Sequence, residues 1–198
     1  MTTDEEARKL FDEAARLVEG EILLHERQRM AAPNWFLQRR LKRALGLFER
    51  VLALKPESWN SMWLVAKVHQ RLGKPEEAFS WLERAYQINP SQVDVAREAS
   101  LIAMDLGRKE AGVVYAHRAT QIQKDDSGLM ANLALAYLLA NQLPQARASI
   151  TRSLELDAND EISKTIETII AHFEREKKTP PAKTEDLMKY WAALSKKK

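Results

Sequence analysis

The sequence predicts an all-α fold in which pairs of helices repeat along the chain, and three observations support that class. Each period holds two apolar patterns at helical spacing, flanking a short turn. No stretch alternates apolar and polar residues as a strand would. Small residues and turn residues also recur every 34 positions. The small residues are Ala44, Ala78, Gly112 and Ala146, and the turn residues are Gly73, Gly107 and Asn141.

Composition limits the classes of protein to which the chain can belong. Its 198 residues, 45% of them hydrophobic, can bury a sizeable core. The first ten residues are acidic and carry no apolar leader, and the longest apolar run, 133–140, is too short to cross a bilayer. We therefore expect a cytoplasmic protein without a membrane span. The absence of cysteine excludes disulfides, thiolate nucleophiles and zinc-thiolate sites.

Apolar periodicity and turn residues together predict ten helices. We expect them at about 3–30, 37–54, 58–72, 75–88, 92–106, 108–122, 127–141, 143–156, 160–177 and 184–196. Pro33 ends the long first helix, and the link AAPNWF precedes the second. The turn residues Gly73, Gly107 and Asn141 and the pair Asn89-Pro90 end four of the later helices.

The last two helices differ from the repeating pairs. In 160–177, one face carries apolar residues and the opposite face is charged, as a terminal capping helix requires. The apolar residues are Ile162, Ile166, Ile169, Ile170 and Phe173. Thr179, Pro180 and Pro181 then form a stiff link. We therefore expect an atypical N-terminal repeat over 1–56, three repeats over 57–160, a capping helix over 160–178, and a link with an amphipathic helix over 179–198.

The small residue after each turn indicates that two helices cross closely there, because a larger side chain would force the backbones apart. A helix-turn-helix unit of 34 residues with small, aromatic and proline positions in this order resembles the tetratricopeptide repeat family. The resemblance covers residues 59–158 as about three units and extends back to a partial unit that ends at Pro56. It implies a right-handed superhelical solenoid with a C-terminal capping helix.

The resemblance also implies a concave groove lined by the first helix of each unit. The residues placed there change from polar to apolar along the chain, and clustered exposed apolar residues indicate a binding surface. They are Asn60, Trp63, Lys67, Arg97, Leu101, Met104, Leu135 and Leu138. We expect the partner to be a protein or peptide that presents an apolar helix or an extended apolar segment. The alternative is that the protein itself covers these side chains.

The family's two-carboxylate clamp for heat-shock chaperone tails requires Lys, Asn, Asn, Lys and Arg. The matching positions here are Trp63, Lys67, Glu98, Gly128 and Asn132. Because the clamp pattern is absent, a chaperone tail is not the expected ligand.

The C-terminal segment 184–198 has the features of a docking helix. Thr184 is the predicted N-cap, acidic residues follow it, and lysines end the chain. One face carries the four apolar residues Leu187, Tyr190, Trp191 and Leu194. Three alternatives remain open: the helix plugs the groove of its own chain, packs permanently as a last cap, or binds another molecule.

A basic segment before the first complete repeat predicts an alternative function. Residues 1–26 carry eight acidic and three basic side chains, whereas 27–55 carry eight basic and one acidic. Arg39, Arg40, Lys42 and Arg43 follow Trp35 and Phe36, and basic residues beside aromatics suit single-stranded nucleic acid or a ribosome.

Motifs for catalysis are absent from the sequence. The six glycines stand singly, so no phosphate-binding loop is present, and the four histidines have no metal-ligand spacing. We therefore expect a non-catalytic adaptor or chaperone-like scaffold that uses no cofactor and no metal.

Overall fold

The structure, a computed structural model, describes residues 2–22 and 32–195, and this part of the chain contains ten α-helices and no strand. The helices are α1 Thr3–Val18, α2 Trp35–Leu54, α3 Trp59–Arg71, α4 Pro75–Ile88, α5 Val93–Leu106, α6 Lys109–Ile122, α7 Ser127–Leu139, α8 Leu143–Leu156, α9 Glu161–Glu176 and α10 Thr184–Ser195. The predicted all-α class is confirmed. None of these ten helices is long and apolar enough to cross a membrane.

The 34-residue period is visible in the helix ends. The second helix of each pair ends on a C-cap whose backbone N–H donates to the carbonyl four residues earlier. These C-caps, Lys55, Asn89, Gln123 and Asp157, follow one another at the repeat interval. The turns within the pairs also agree, because Gly73, Gly107 and Asn141 have φ of 73°, 77° and 58°. The left-handed conformation explains why glycine or asparagine recurs there.

The small residues lie at close helix crossings, as the sequence predicts. Ala78 and Ala146 have no exposed surface, and Gly112 is buried. A Cβ on Gly112 would lie 3.2 Å from the Cγ of Met104 on α5. The Ser100 hydroxyl donates to the Gly112 carbonyl at 3.1 Å, which joins α5 to α6 through a buried hydrogen bond.

The chain divides into two compact units, residues 1–90 and 91–198. In the first unit, α1 pairs with α2, α3 pairs with α4, and α2 contacts α3. The rings of Phe11 on α1 and Phe48 on α2 meet edge to face, with centroids 5.8 Å apart. In the second unit, α5 pairs with α6 and α7 with α8, and α9 contacts both α8 and α7.

The predicted first helix, 3–30, is wrong over residues 19–22. Helix α1 ends at Val18, and Gly20 in the following turn has a φ of 71°. The rest of that prediction, 23–30, lies outside the described residues. Helix α2 begins at Trp35 rather than at 37, because the Asn34 side chain accepts the backbone N–H of Leu37 at 2.9 Å.

Helix α9 packs its apolar face on α7 and α8, with one departure from prediction. Ile166, Ile169, Ile170 and Phe173 are buried, whereas Ile162 is 69% exposed. Ile162 lies in the first turn beside the N-cap Asp160, whose side chain accepts the backbone N–H of Ile162 and of Ser163 at 3.1 Å each. The cap thus orients the first turn so that Ser163 is buried and Ile162 is exposed.

Candidate partner-binding surface

Four of the predicted groove residues meet in the core of the second unit. Leu101 and Met104 on α5 are 7% and 1% exposed, and Leu135 and Leu138 on α7 are 3% and 0% exposed. All four belong to one hydrophobic cluster. The structure therefore brings these four positions together and buries them.

Helix α10 covers part of this cluster and contributes Leu187 to it. We call the side chains that α5, α7 and α9 contribute to the cluster the α10 surface. Leu187 is fully buried in the cluster, and Tyr190 and Trp191 pack against it while remaining partly exposed. Leu194 is half-buried. Of the four residues predicted for a docking face, Leu187 is thus buried and the other three are half-buried.

Aromatic contacts hold α10 against α9. The Tyr190 hydroxyl lies 3.0 Å from Nε2 of His172, within hydrogen-bonding distance. The Tyr190 ring stacks on Phe173, with centroids 5.4 Å apart and planes 26° apart. The His172 ring meets Trp191 edge to face at 5.7 Å. One histidine therefore contacts both large aromatic side chains of α10.

The link before α10 contacts the second unit as well. Pro180 is buried, and a Cβ on Gly107 would lie 3.1 Å from the Cγ of Lys183. The side chain of Lys183 therefore lies over the turn between α5 and α6, where glycine leaves room. The predicted N-cap is wrong, because Thr184 is the first residue of the helix and the backbone carbonyl of Lys183 accepts the Leu187 N–H at 3.0 Å. The buried Thr184 hydroxyl has no hydrogen-bond partner among the described residues.

The remaining predicted groove residues are described within their own units. In the first unit, Asn60 is exposed, Trp63 is half-buried and Lys67 is 8% exposed. The indole Nε1 of Trp63 is buried and has no hydrogen-bond partner among the described residues. In the second unit, Arg97 forms an ion pair with Asp94 at 2.9 Å.

The first unit contains a cleft that sequence reasoning missed. Its volume is about 920 Å³, and it lies among α1, the end of α2 and the start of α3. Its lining combines apolar and charged side chains: Asp4, Ala7, Arg8, Phe11, Val51, Lys55, Pro56, Glu57, Ser58, Trp59 and Asn60. The repeat spacing could not indicate it, because α1 lies in the irregular N-terminal unit.

Sequence reasoning also missed His172 and Lys183 as contacts of the C-terminal segment. His172 precedes the buried Phe173 in α9, but nothing in the apolar pattern of α9 identifies the helix that contacts His172. Lys183 lies in the link, where side-chain direction does not follow from helical periodicity.

Helix α1 provides ion-pair partners for the basic face of α2. Arg43 bonds Glu13 at 2.6 Å, Lys55 bonds Asp4 at 3.0 Å, and Arg50 lies 3.7 Å from Glu6.

A fourth pair joins Arg40 to Glu21, and the Arg39 guanidinium lies 5.7 Å from the centre of the Trp35 ring. Acidic residues of 4–21 therefore neutralise part of the basic charge of 40–55 within the first unit. The alternative of nucleic-acid binding through Arg39, Arg40, Lys42 and Arg43 stays a prediction.

Within 2–22 and 32–195, no group of three or more histidine, aspartate or glutamate side chains is arranged to hold a metal ion.

The fold and its repeat register define a helical-repeat protein, and comparisons with known proteins agree. The chain resembles the crystal structure of MamA protein, with a TM-score of 0.71 and 12% identity over 96% of this chain and 90% of that one. It also resembles a tetratricopeptide repeat protein from Parabacteroides merdae, with a TM-score of 0.70 and 12% identity over 87% of this chain and 61% of that one. The predicted resemblance is confirmed at the level of the fold: the chain has the helical-repeat solenoid fold of these structures, one of which is a tetratricopeptide repeat protein.

Sequence comparison covers a smaller part. Residues 38–114 match the family described as anaphase-promoting complex, cyclosome, subunit 3. A stretch of 73 residues is 26% identical to the transcription factor tau 131 kDa subunit of Saccharomyces cerevisiae, which is 37% of this chain. The chain spans only 7% of the length of that relative.

Proposed function

We propose that the protein is a non-catalytic adaptor that binds an apolar helix of a protein partner on the α10 surface, in competition with α10. The observation that carries the proposal is that Leu187 of the amphipathic helix α10 is buried in the same hydrophobic cluster as Leu101, Met104, Leu135 and Leu138. A surface that accommodates one amphipathic helix has the shape and polarity to accept another. The tetratricopeptide-repeat fold supports an interaction scaffold as the general class.

The depth of burial along α10 supports a displaceable cover. Leu187 is fully buried, but Tyr190, Trp191 and Leu194 each keep part of their surface in water. Apolar burial contributes about 25 cal/mol per Å², so partial exposure leaves part of the available stabilisation unused. A partner helix that buries more of its own apolar face against this surface can therefore compete with α10.

One similar structure is described as a protein with a peptide site. YrrB, described as a tetratricopeptide-repeat protein with an unusual peptide-binding site, matches with a TM-score of 0.59 and 16% identity over 83% of this chain and 84% of that one. That description supports peptide binding as a use of this fold. The proposed cytoplasmic location and any chaperone-like action rest on the sequence alone.

The function is tested by loosening α10 in the full-length chain. Leu187→Asp places a charge at a fully buried position and is expected to undock α10, whereas Met188→Asp changes a neighbouring residue that is 39% exposed. In affinity capture from cell extract, followed by crosslinking and mass spectrometry, Leu187→Asp should enrich partners whose crosslinks map to α5, α7 or α9. If the Leu187→Asp and Met188→Asp chains capture the same proteins as the unaltered chain, α10 does not compete with a partner.

A further inference from the structure

We propose that the α10 surface selects partner helices with leucine, tyrosine, tryptophan and leucine at positions i, i+3, i+4 and i+7, and that His172 recognises the tyrosine hydroxyl. The inference rests on the proposed function and specifies the chemistry of its ligand. The occupant is an amphipathic helix of another protein. The chain's own α10 shows the pattern that fits.

The spacing follows from the seating of α10. Leu187, Tyr190, Trp191 and Leu194 share one helical face, and each is buried or half-buried. Glu185, Asp186, Met188, Lys189, Ala192 and Ala193 are exposed. The surface therefore sets requirements at four positions of a bound helix and leaves the outward face free to vary.

The pairing of His172 with Tyr190 is a polar side-chain contact of the α10 docking face. Oη of Tyr190 lies 3.0 Å from Nε2 of His172, and the Tyr190 ring also stacks on Phe173. A phenylalanine at this position would keep the stacking and lose the hydrogen bond. It would leave the half-buried His172 nitrogen without its partner, and a site built for a hydroxyl discriminates against the analogue that lacks one.

Two features distinguish a foreign helix from α10 itself. The link 177–183 ties α10 to the unit, and contacts at the buried Pro180 and at Lys183 limit how α10 can sit. A separate helix has no such tether, so the link does not fix its position along the surface. The tether in turn gives α10 a high effective concentration, so a foreign helix binds poorly until α10 is loosened.

The experiment uses a fluorescein-labelled peptide with the sequence of residues 182–195 and a second peptide with phenylalanine in place of its tyrosine. Each is titrated by fluorescence anisotropy against the full-length unaltered chain and the full-length Leu187→Asp chain. We expect the tyrosine peptide to bind the Leu187→Asp chain at least about tenfold more tightly than the unaltered chain, because α10 no longer competes. We expect the phenylalanine peptide to bind the Leu187→Asp chain about fivefold more weakly, in line with one lost hydrogen bond.

A double-mutant cycle assigns the preference to His172. Adding His172→Phe to the Leu187→Asp chain keeps an aromatic ring and removes the nitrogen, so the two peptides should then bind equally. A tyrosine preference that survives His172→Phe, or no preference in either chain, overturns the role of His172. Circular dichroism verifies that the Leu187→Asp chain folds. If it does not, Trp191→Ala, at a half-buried position of α10, replaces Leu187→Asp as the loosening variant.

The remaining outcomes separate this inference from the proposed function. If neither peptide binds the loosened chain while the capture experiment yields partners on α5, α7 or α9, the ligand pattern is wrong and the adaptor function stands. If light scattering shows that the unaltered chain dimerises and the Leu187→Asp chain does not, the occupant is α10 of a second copy, and the foreign-helix proposal is overturned.

Discussion

The side chain of Lys183 lies over Gly107, so closely that a Cβ on this glycine would come within 3.1 Å of the lysine Cγ. Gly107 also has a φ of 77°, which ends α5 and starts the turn to α6. One glycine thus serves both the repeat turn and the seating of the C-terminal segment.

Gly107→Ala is expected to lower the free energy of unfolding and also to loosen α10. The left-handed backbone alone costs an alanine about 1 to 2 kcal/mol, and contact with Lys183 adds to that cost. Gly73→Ala is the matched control, because Gly73 has a φ of 73° and no atom within 4 Å of its added Cβ. Hydrogen exchange should therefore speed up in 184–195 for Gly107→Ala and stay unchanged there for Gly73→Ala. Equal exchange in the two variants would show that Lys183 does not secure the segment.

Phe48→Ala should remove about 3 to 5 kcal/mol from the free energy of unfolding, the usual cost of deleting a buried aromatic ring. Phe48 has no exposed surface and meets Phe11 edge to face. Phe36→Ala on the same helix deletes a ring that is 75% exposed and should change stability by less than about 0.5 kcal/mol. Urea denaturation of the two variants checks the contrast, and similar losses would contradict the packing of α2.

The ion pair between Arg43 and Glu13 should stabilise the first unit only slightly. Its atoms are 2.6 Å apart, but the side chains are 66% and 42% exposed, and exposed pairs contribute about 0.2 to 1 kcal/mol. A double-mutant cycle with Arg43→Gln and Glu13→Gln measures the coupling directly. We expect the coupling to shrink as salt is raised, and a coupling above about 1.5 kcal/mol would contradict the exposed geometry.

Asp160 should make the stability of α9 depend on pH in the acid range. Hydrogen bonds from the Ser163 hydroxyl and from the backbone N–H of Ile162 and Ser163 lower the pKa of Asp160 below its ordinary value. Because the folded pKa is the lower one, its contribution is present at neutral pH and is lost as pH falls through the acid range to the folded value.

Asp160→Ala removes the N-cap and should cost about 1 kcal/mol near pH 7. Asp160→Asn retains a cap acceptor without titrating, so the stability difference between the natural chain and this variant should shrink as pH falls. Thermal unfolding between neutral and acid pH measures both. A difference that grows on acidification would contradict the lowered pKa.

Local chemistry explains why the repeats could be predicted. Glycine or asparagine is needed where φ is positive, and Gly73, Gly107 and Asn141 occupy that conformation at equal spacing. Small residues are needed where helices cross closely. A Cβ on Gly112 would lie 3.2 Å from the Cγ of Met104. Neither requirement depends on distant parts of the chain.

The first helix could not be predicted in the same way. Its apolar pattern continues past Val18, but the chain turns at Gly20, and periodicity alone does not distinguish a glycine inside a helix from one that ends it. The predicted N-cap at Thr184 is wrong because Thr184 is already the first helical residue, and the backbone carbonyl of Lys183 accepts the first helical hydrogen bond, from Leu187.

The sequence by itself determined the class of fold, the repeat register and the amphipathic character of α10, because those depend on spacing and on residues close in the chain. Only the tertiary structure decided that Leu101, Met104, Leu135 and Leu138 are covered and that Leu187 shares their core. It also decided that Tyr190 meets His172, which precedes it by 18 positions. Such contacts follow from how the link 177–183 directs α10 back onto its own unit, and that direction depends on packing between distant residues rather than on any local preference.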